Sequence, residues 1–173
     1  IAHGQPTTVV VAGDSDEALK SLQMALQTDR FRVYRNADIL GVELCGALKN
    51  VMALATFLES HSAVKKVHWS YAEPFGANYR KLAGDGKPGC ALAFELNGAI
   101  EPFYDKIRIL KSPSFGTKFS LLCPYVQLAH YDLMQNNQGR NILASAGLSP
   151  ELIRVSVGEE QAQEIISIFS EAL

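Results

Sequence analysis

The run of residues 38–61 constrains the fold more than any other part of this sequence. Its apolar residues recur mostly at steps of three and four, which is the period of an α-helix; they are Ile39, Val42, Leu44, Leu48, Val51, Met52, Leu54, Ala55 and Leu58. A helix of this length measures roughly 33 Å at 1.5 Å per residue, the width of a small domain. Gly41 and Gly46 each weaken it by about 1 kcal/mol relative to alanine, so tertiary packing must stabilise its first turns.

A strand–helix–strand pattern precedes this helix. The β-branched run 7–12 (TTVVVA) predicts a buried strand, the amphipathic segment 15–28 predicts a helix, and the run 31–34 predicts a second strand. Asp14, with Glu17 three residues further on, is the predicted N-cap of that helix. The pattern is typical of a βαβ unit, in which two parallel strands are joined by a right-handed crossover.

Strands and helices also alternate after the long helix. The strands are predicted at 64–69, 90–96, 119–123 and 152–157, and the helices at 74–82, 99–107 and 159–173, with one or two short helices within 127–147. The predicted fold class is therefore α/β: a βαβ unit, a long connecting helix, and a two-layer α+β second half.

Charge and composition argue against several kinds of partner. The chain has 173 residues, and its net charge of −2 gives no reason to expect a nucleic acid or an anionic membrane. It contains no apolar run of about 18 residues, and its N-terminus lacks the features of a signal peptide. Its three widely spaced cysteines are typical of buried thiols in a reducing cytosol, so we expect a cytoplasmic protein. The cysteines Cys45, Cys90 and Cys123 lack metal-binding spacing, and we predict no structural metal.

Two features that are common in enzymes have simpler interpretations here. Residues 84–89 (GDGKPG) match the pattern GxGxxG, but a predicted helix precedes them and a strand follows, the reverse of a dinucleotide-binding turn. We therefore interpret them as a surface loop. Capping, packing or solvation is favoured over a metal or general-base role for each of the four scattered histidines, which are His3, His61, His68 and His130.

Arg154 interrupts an otherwise apolar strand. It lies between Ile153 and Val155, and strand alternation places it on the opposite face from them, together with Leu152 and Ser156. Its guanidinium must reach solvent, pair with an acid, or bind an anion through two hydrogen bonds. The residues alone favour pairing or exposure over anion binding and leave all three open.

The first third of the chain resembles bacterial NAD-dependent glycerol-3-phosphate dehydrogenase. The resemblance covers residues 4–55 and depends on the segments GQPTTVVVAG and FRVYRNADILGVELCGALKNVMALA. In that family the lysine of the GALKN motif is catalytic and the asparagine beside it lines the substrate site, which implies these roles for Lys49 and Asn50. The family's glycine-rich dinucleotide loop has no match in this sequence.

The rest of the chain resembles the C-terminal domain of the Cys/Met-metabolism enzymes that use pyridoxal phosphate, which include cystathionine synthases and lyases. The similar segments are ALATFLESHSAVKKVHW, GCALAFELNG, SFGTKFSLLCPY and AGLSPELIRVSVGEE. The resemblance implies the small domain of a fold-type-I enzyme, in which Arg154 binds the substrate α-carboxylate, residues 114–116 flank it, and Glu160 occupies an acidic position of the pattern. Residues 128–131 (LAHY) replace the family's usual Thr-His-Ser, and the Schiff-base lysine has no match.

The two resemblances meet within the long helix. Residues 53–55 (ALA) fit both patterns, so the apolar stripe continues through the join. We therefore predict a dehydrogenase-like segment 1–52 and a pyridoxal-enzyme-like segment 53–173 that pack as one unit, in an engineered or recombined chimera.

Each segment lacks the cofactor site of the family that it resembles. We therefore expect no evolved catalytic function, no catalytic residue, no cofactor and no evolved small-molecule partner, although self-association is possible. The vestigial site candidates are Lys49, Asn50, Ser114, Gly116 and Arg154, and we expect Arg154 to face water or an acid such as Glu160. The alternatives are a residual transsulfuration-type enzyme that uses pyridoxal phosphate, a fragment with NAD-dependent glycerol-3-phosphate dehydrogenase activity, and a carboxylate-binding module that acts through Arg154.

Overall fold

The computed structural model describes residues 7–29, 31–37, 39–74, 76–83 and 89–173, and the side chains among them except at 7, 8 and 40–47. The chain divides into two compact units, Ile1–Gly46 and Ala47–Leu173. The boundary between residues 52 and 53, and the packing of both segments as one unit, stay predictions. The predicted loop 84–89 lies outside the described residues except at Gly89.

The first unit is the predicted βαβ unit. Strands β1 (Thr7–Ala12) and β2 (Phe31–Asn36) pair in parallel, and helix α1 (Asp16–Leu26) connects them. The N-cap prediction was wrong by one residue. Ser15, rather than Asp14, caps α1, because its side chain accepts a hydrogen bond from the backbone N–H three residues further on, at 3.3 Å.

The predicted long helix is confirmed as α2 (Ile39–Ser60). Its second half extends into the core of the second unit, where Val51, Leu54, Ala55 and Leu58 are buried. These four residues follow the i, i+3, i+4, i+7 spacing that places side chains on one helix face. The apolar periodicity of the sequence therefore identifies the face that packs.

The second unit contains a five-stranded sheet. Its strands are β3 (Val64–His68), β4 (Ala91–Leu96), β5 (Leu110–Lys111), β6 (Leu121–Pro124) and β7 (Leu152–Ser156). Their order is β3-β4-β7-β6-β5, and neighbours are antiparallel except for the parallel pair β5–β6. The sequence pattern does not predict β5, because two residues show no periodicity.

The described helices of this unit lie between and after the strands. They are α3 (Gly76–Leu82), α4 (Glu101–Lys106), α5 (Tyr125–Ala129), α6 (Tyr131–Met134), α7 (Asn137–Ser145) and α8 (Ala162–Ala172). This arrangement of strands and helices confirms the predicted mixed α/β fold class.

The two faces of the five-stranded sheet differ in composition. One face contributes Phe94, Ile153 and Val155 to the main core, together with apolar side chains of α2, α4 and α8. The rings of Phe94, Phe103 and Phe169 lie with their centroids 5.6–6.0 Å apart at its centre. On the opposite face, which we call the polar face, Leu152 packs in a smaller cluster with side chains of α5 and α7. The charged residues of the candidate site lie on this polar face.

Candidate functional site

Arg154 lies in the middle of β7 on the polar face. Its cross-strand neighbours are Ala93 on β4 and Cys123 on β6. Ile153 and Val155 are fully buried on the other face, which fixes the direction of the arginine side chain through strand alternation. The arginine is therefore held by a strand whose alternate residues form the core.

The guanidinium of Arg154 has polar and aromatic neighbours. Its Nη2 donates a hydrogen bond to the carbonyl of Pro113 at 2.5 Å. Its Cζ lies 3.9 Å from the ring centroid of Phe115 and 4.9 Å from that of Tyr125, within the range of cation–π contacts. Among the described residues, no carboxylate lies within 4.0 Å of it. Pairing with an acid, one of the two states that the sequence favoured over anion binding, is therefore not found in this part of the chain.

The loop that carries Ser114 and Gly116 is fastened to β7. Gly116 has a positive φ of 71°, which glycine adopts without strain, and its N–H donates to the Oγ of Ser156 at 3.2 Å. Ser114 is exposed, and its backbone N–H donates to the Oγ of Ser112. The structure thus brings Gly116 and the ring of Phe115 to the arginine strand, while the side chain of Ser114 faces solvent.

Glu160 does not pair with Arg154, contrary to one expectation from the sequence. Its carboxylate accepts hydrogen bonds from the backbone N–H of Ser120 at 2.5 Å and from the Ser120 hydroxyl at 3.0 Å. The same hydroxyl accepts a hydrogen bond from the N–H of Gly158 at 3.0 Å. Ser120, immediately before β6, therefore donates both of these hydrogen bonds to Glu160 in place of the arginine.

The two candidates from the dehydrogenase motif have different environments. Asn50 is only 6% exposed, and its Nδ2 donates to the carbonyls of Gly158 and Glu160 at 2.8 and 2.6 Å. The adjacent Lys49 is exposed. Asn50 therefore connects α2 to the segment that follows β7, which is a structural role. The sequence could have indicated this role, because Asn50 lies four residues before Leu54 and so on the buried face of the helix.

A second charged group on the polar face was missed by the sequence analysis. Glu95 on β4 has a side chain only 7% exposed, and it accepts from His68 Nε2 at 2.8 Å and from Lys65 Nζ at 3.2 Å. Burial alone would raise the pKa of the Glu95 carboxyl, but the hydrogen bonds from His68 and Lys65 lower it below its usual value. The sequence did contain a signal for this group, which was a glutamate within a predicted buried strand. A buried acid of this kind requires hydrogen-bonding or charged partners.

The thiol of Cys123 faces Arg154 across the β6–β7 pair. Burial raises the pKa of this thiol, and the charge and hydrogen bonding of Arg154 act in the opposite direction. A thiol with a raised pKa stays protonated near neutral pH, so Cys123 contributes a small apolar group to the site rather than a nucleophile.

The described residues do not fit pyridoxal phosphate on their own. The cofactor requires a lysine enclosed in its binding site to form a Schiff base. Every lysine in the described ranges is exposed; these are Lys20, Lys49, Lys65, Lys66, Lys81, Lys106, Lys111 and Lys118. Within the same ranges, no group of three or more His, Cys, Asp or Glu side chains is arranged for a metal ion. Nor does any described helix have the length and apolar character to cross a membrane.

The fold of the second unit defines the class of protein. The chain is similar to the crystal structure of cystathionine gamma synthase from Xanthomonas oryzae pv. oryzae in complex with cystathionine, with a TM-score of 0.62 and 25% sequence identity. The similarity covers 76% of this chain and 34% of that one. This is the fold of the small domain of fold-type-I pyridoxal phosphate enzymes, as the resemblance implied.

The family follows from the sequence match. The family model for "Cys/Met metabolism PLP-dependent enzyme" matches residues 21–173, and the chain therefore belongs to this family. An L-2-amino-4-chloropent-4-enoate dechlorinase/desaturase from Streptantibioticus cattleyicolor is 40% identical over 122 residues, which are 70% of this chain and 24% of that protein. The chain thus spans a quarter or less of the length of the curated relatives that it matches.

The resemblance to glycerol-3-phosphate dehydrogenase is also supported, over a stretch of 55 residues. A glycerol-3-phosphate dehydrogenase [NAD(P)+] from Shouchella clausii is 54% identical over 55 residues, which are 32% of this chain and 16% of that protein. The chain is therefore similar to relatives of two different kinds, as the two resemblances implied.

One interpretation of the sequence was wrong. We expected a chain with no evolved catalytic function, because each of its two segments lacks the cofactor site of the family that it resembles. The match over residues 21–173 instead identifies a member of a family of pyridoxal phosphate enzymes. The error has a physical reason: the absence of both cofactor sites was given more weight than the strand and helix pattern of the second unit, which is the part that the family match covers.

Proposed function

We propose that this chain forms the part of a Cys/Met-metabolism pyridoxal phosphate enzyme that binds the α-carboxylate of the substrate, through Arg154. The observation that supports this most directly is an arginine in the middle of a strand without a carboxylate partner among the described residues. A guanidinium in this state retains N–H groups that can bind a carboxylate bidentately.

The neighbours of Arg154 would orient such a carboxylate. Pro113 holds one terminal nitrogen, and the ring of Phe115 lies against the guanidinium, so rotation of the group is restricted. The ring of Tyr125 adds a further contact. Restricting the arginine before the ligand binds lowers the entropic cost of binding and fixes the direction of approach. We propose α-amino acids as ligands, because the similar dechlorinase/desaturase is named for L-2-amino-4-chloropent-4-enoate and the synthase structure is a complex with cystathionine, and both compounds are amino acids.

We further propose that these 173 residues alone do not catalyse the reactions of the family. When bound, pyridoxal phosphate supplies an electron sink for substrate carbanions, and a lysine must anchor it. The exposure of the described lysines argues against such an anchor. Borohydride reduction after addition of pyridoxal phosphate, followed by peptide mapping, tests this: scattered labelling is expected, and stoichiometric labelling of one lysine would contradict it.

We also propose that two parental segments are joined within α2. Relatives of two different kinds match this chain, one over 122 residues and the other over 55 residues. Residues 53–55 fit both patterns, which would keep the helix in phase across the join.

Carboxylate binding can be tested on the chain as it is. Titration of the ¹⁵N-labelled protein with L-norvaline should shift the Nε–H resonance of Arg154, and Arg154→Met should abolish binding. Arg108→Met is the matched control, because Arg108 is an exposed arginine of the same unit that pairs with Glu171. Equal binding by the Arg154→Met and Arg108→Met proteins would refute the proposed function.

A further inference from the structure

The turn that follows β4 contains an asparagine directly followed by a glycine. Asn97 and Gly98 lie between the end of β4 at Leu96 and the start of α4 at Glu101. They form the one Asn-Gly pair in the 173 residues of the sequence. Asparagine is a thermolabile residue, because its side-chain amide can react with the backbone nitrogen that follows it. That nitrogen is least shielded when it belongs to glycine, which has no Cβ.

The surroundings of this pair leave it open to water. Asn97, Gly98 and Ala99 are all exposed. A Cβ placed on Gly98 would have no atom within 4 Å, so the fold does not enclose the glycine. A cavity of about 220 Å³ borders the pair, and its other lining residues include Phe103 and Leu173. This volume holds several water molecules.

Hydrogen bonding leaves the nitrogen of Gly98 and the side-chain carbonyl of Asn97 without partners. No described residue accepts a hydrogen bond from the Gly98 N–H, and none donates one to Asn97 Oδ1. The backbone N–H of Asn97 donates to the carbonyl of Ala63 at 2.9 Å, and its Nδ2 donates to the carbonyl of Ser62 at 2.7 Å. The Nδ2 bond must break before the amide can turn towards Gly98, which slows a reaction by about tenfold at most, the equivalent of one net hydrogen bond.

We propose that Asn97 is a site of spontaneous covalent modification, at which its side-chain amide is converted to a carboxylate. Hydroxide removes the proton from the nitrogen of Gly98, which then attacks Cγ of Asn97. A bond forms between these two atoms and closes a five-membered succinimide ring, while the bond from Cγ to Nδ2 breaks and Nδ2 takes a proton from water and leaves as ammonia. Water then adds to one of the two ring carbonyls and opens the ring. Opening at one carbonyl gives aspartate, and opening at the other gives isoaspartate.

The modification removes a contact at the edge of the sheet. A carboxylate only accepts hydrogen bonds, so the bond from residue 97 to the carbonyl of Ser62 is lost. Isoaspartate also adds one carbon to the backbone between β4 and α4. The two bonds of Asn97 fasten residues 62–63, which precede β3, to the end of β4. Because β3 is an edge strand that pairs only with β4 in this sheet, the hold on β3 weakens with time and with rising pH.

The inference is tested by incubating the 173-residue chain at several pH values and mapping its peptides by mass spectrometry. A synthetic peptide of residues 93–102 measures the same reaction without the fold. We expect the mass gain of an amide-to-acid conversion at Asn97, with isoaspartate as the main product and a rate that rises in proportion to hydroxide concentration. The rate in the chain should be within about tenfold of that in the peptide. Asn141, which is also exposed but precedes an isoleucine within α7, is the internal control and should stay intact.

Two variants complete the test. Gly98→Ala should slow the reaction by about tenfold or more, because a Cβ shields the nitrogen. The methyl group has space and the φ of Gly98 is not left-handed, so this variant should fold normally. Asn97→Asp, which removes the donor, should speed amide hydrogen exchange in β3, whereas the exposed control Asn141→Asp should not. The inference fails if Asn97 stays intact in the chain, with or without reaction of the peptide, or if Gly98→Ala reacts as fast as the unmodified chain. Equal exchange in the two aspartate variants would overturn the effect on β3.

Discussion

The two faces of the five-stranded sheet belong to the same strands, but the surroundings of their side chains differ. On the core face, Phe94, Ile153 and Val155 are fully buried and belong to the main apolar core. On the polar face, Arg154 and Glu95 are surrounded by carbonyls, aromatic rings and charged partners. One strand can therefore supply stability through alternate residues and a binding group through the residues between them.

The largest expected effect is on the core face. Phe94→Ala should lower the free energy of unfolding by about 3–5 kcal/mol, because it removes a ring that contacts two other rings and leaves a cavity. Urea denaturation followed by circular dichroism measures the loss. A loss below about 1 kcal/mol would mean that this face is not the main source of stability.

A smaller loss is expected at the tie between α2 and the segment after β7. Asn50→Ala should cost about 2–3 kcal/mol, since it leaves the carbonyls of Gly158 and Glu160 without their donor in a buried region. The neighbouring Lys49→Ala is the control and should stay within about 0.5 kcal/mol, as expected for an exposed side chain. Equal losses in the free energy of unfolding for the two variants would contradict the structural role of Asn50.

The acid on the polar face should make stability depend on pH. The pKa of Glu95 is lower in the folded state than its ordinary value of 4.5, so its contribution to stability is present above that value and is lost as the pH falls through the folded-state pKa. Glu95→Gln should cost about 1–2 kcal/mol at neutral pH. The difference from the unmodified chain should narrow below about pH 4.5, and urea midpoints measured from pH 7 to pH 3 test this. A constant difference at all pH values would contradict it.

The smallest effect on stability is expected at the residue with the largest effect on binding. Arg154→Met should change the free energy of unfolding by no more than about 1 kcal/mol, because the carbonyl of Pro113 lies in an exposed loop and can bind water instead. The same variant should lose carboxylate binding. A loss of more than about 2 kcal/mol in urea denaturation would show that the arginine belongs to the stabilising part of the sheet after all.

Apolar periodicity was sufficient to predict the core face and the long helix. Three features depend only on residue spacing within one segment, which is visible in the sequence. They are the apolar stripe through Leu54 and Leu58, the βαβ unit, and the position of Arg154 on the face of β7 away from Ile153. Strand β5 is too short to produce such a pattern.

The contacts of the polar face could not be predicted in the same way. The pairing of His68 with Glu95, and the position of Arg154 beside Ala93, depend on the register between strands that are far apart in sequence. A bulge between Val64 and Lys66 shifts that register within β3 itself. The contact of Phe115 with Arg154 depends on a loop conformation. Residue spacing carries no information on any of these.

The bond from Asn50 to the carbonyls after β7 also restricts how the chain can tolerate insertions. A helix turns by 100° per residue. If one residue were added or deleted between Asn50 and Leu54, the core leucines and the Asn50 amide could not both keep their positions. Either the leucines would stay in the core and the amide would rotate away from Gly158 and Glu160, or the amide would stay and the leucines would rotate out of the core. The contacts of the amide and of the leucines therefore form together at only one rotation of the helix between these two points. Any sequence exchanged into this helix must preserve its length between these two points, whatever its composition.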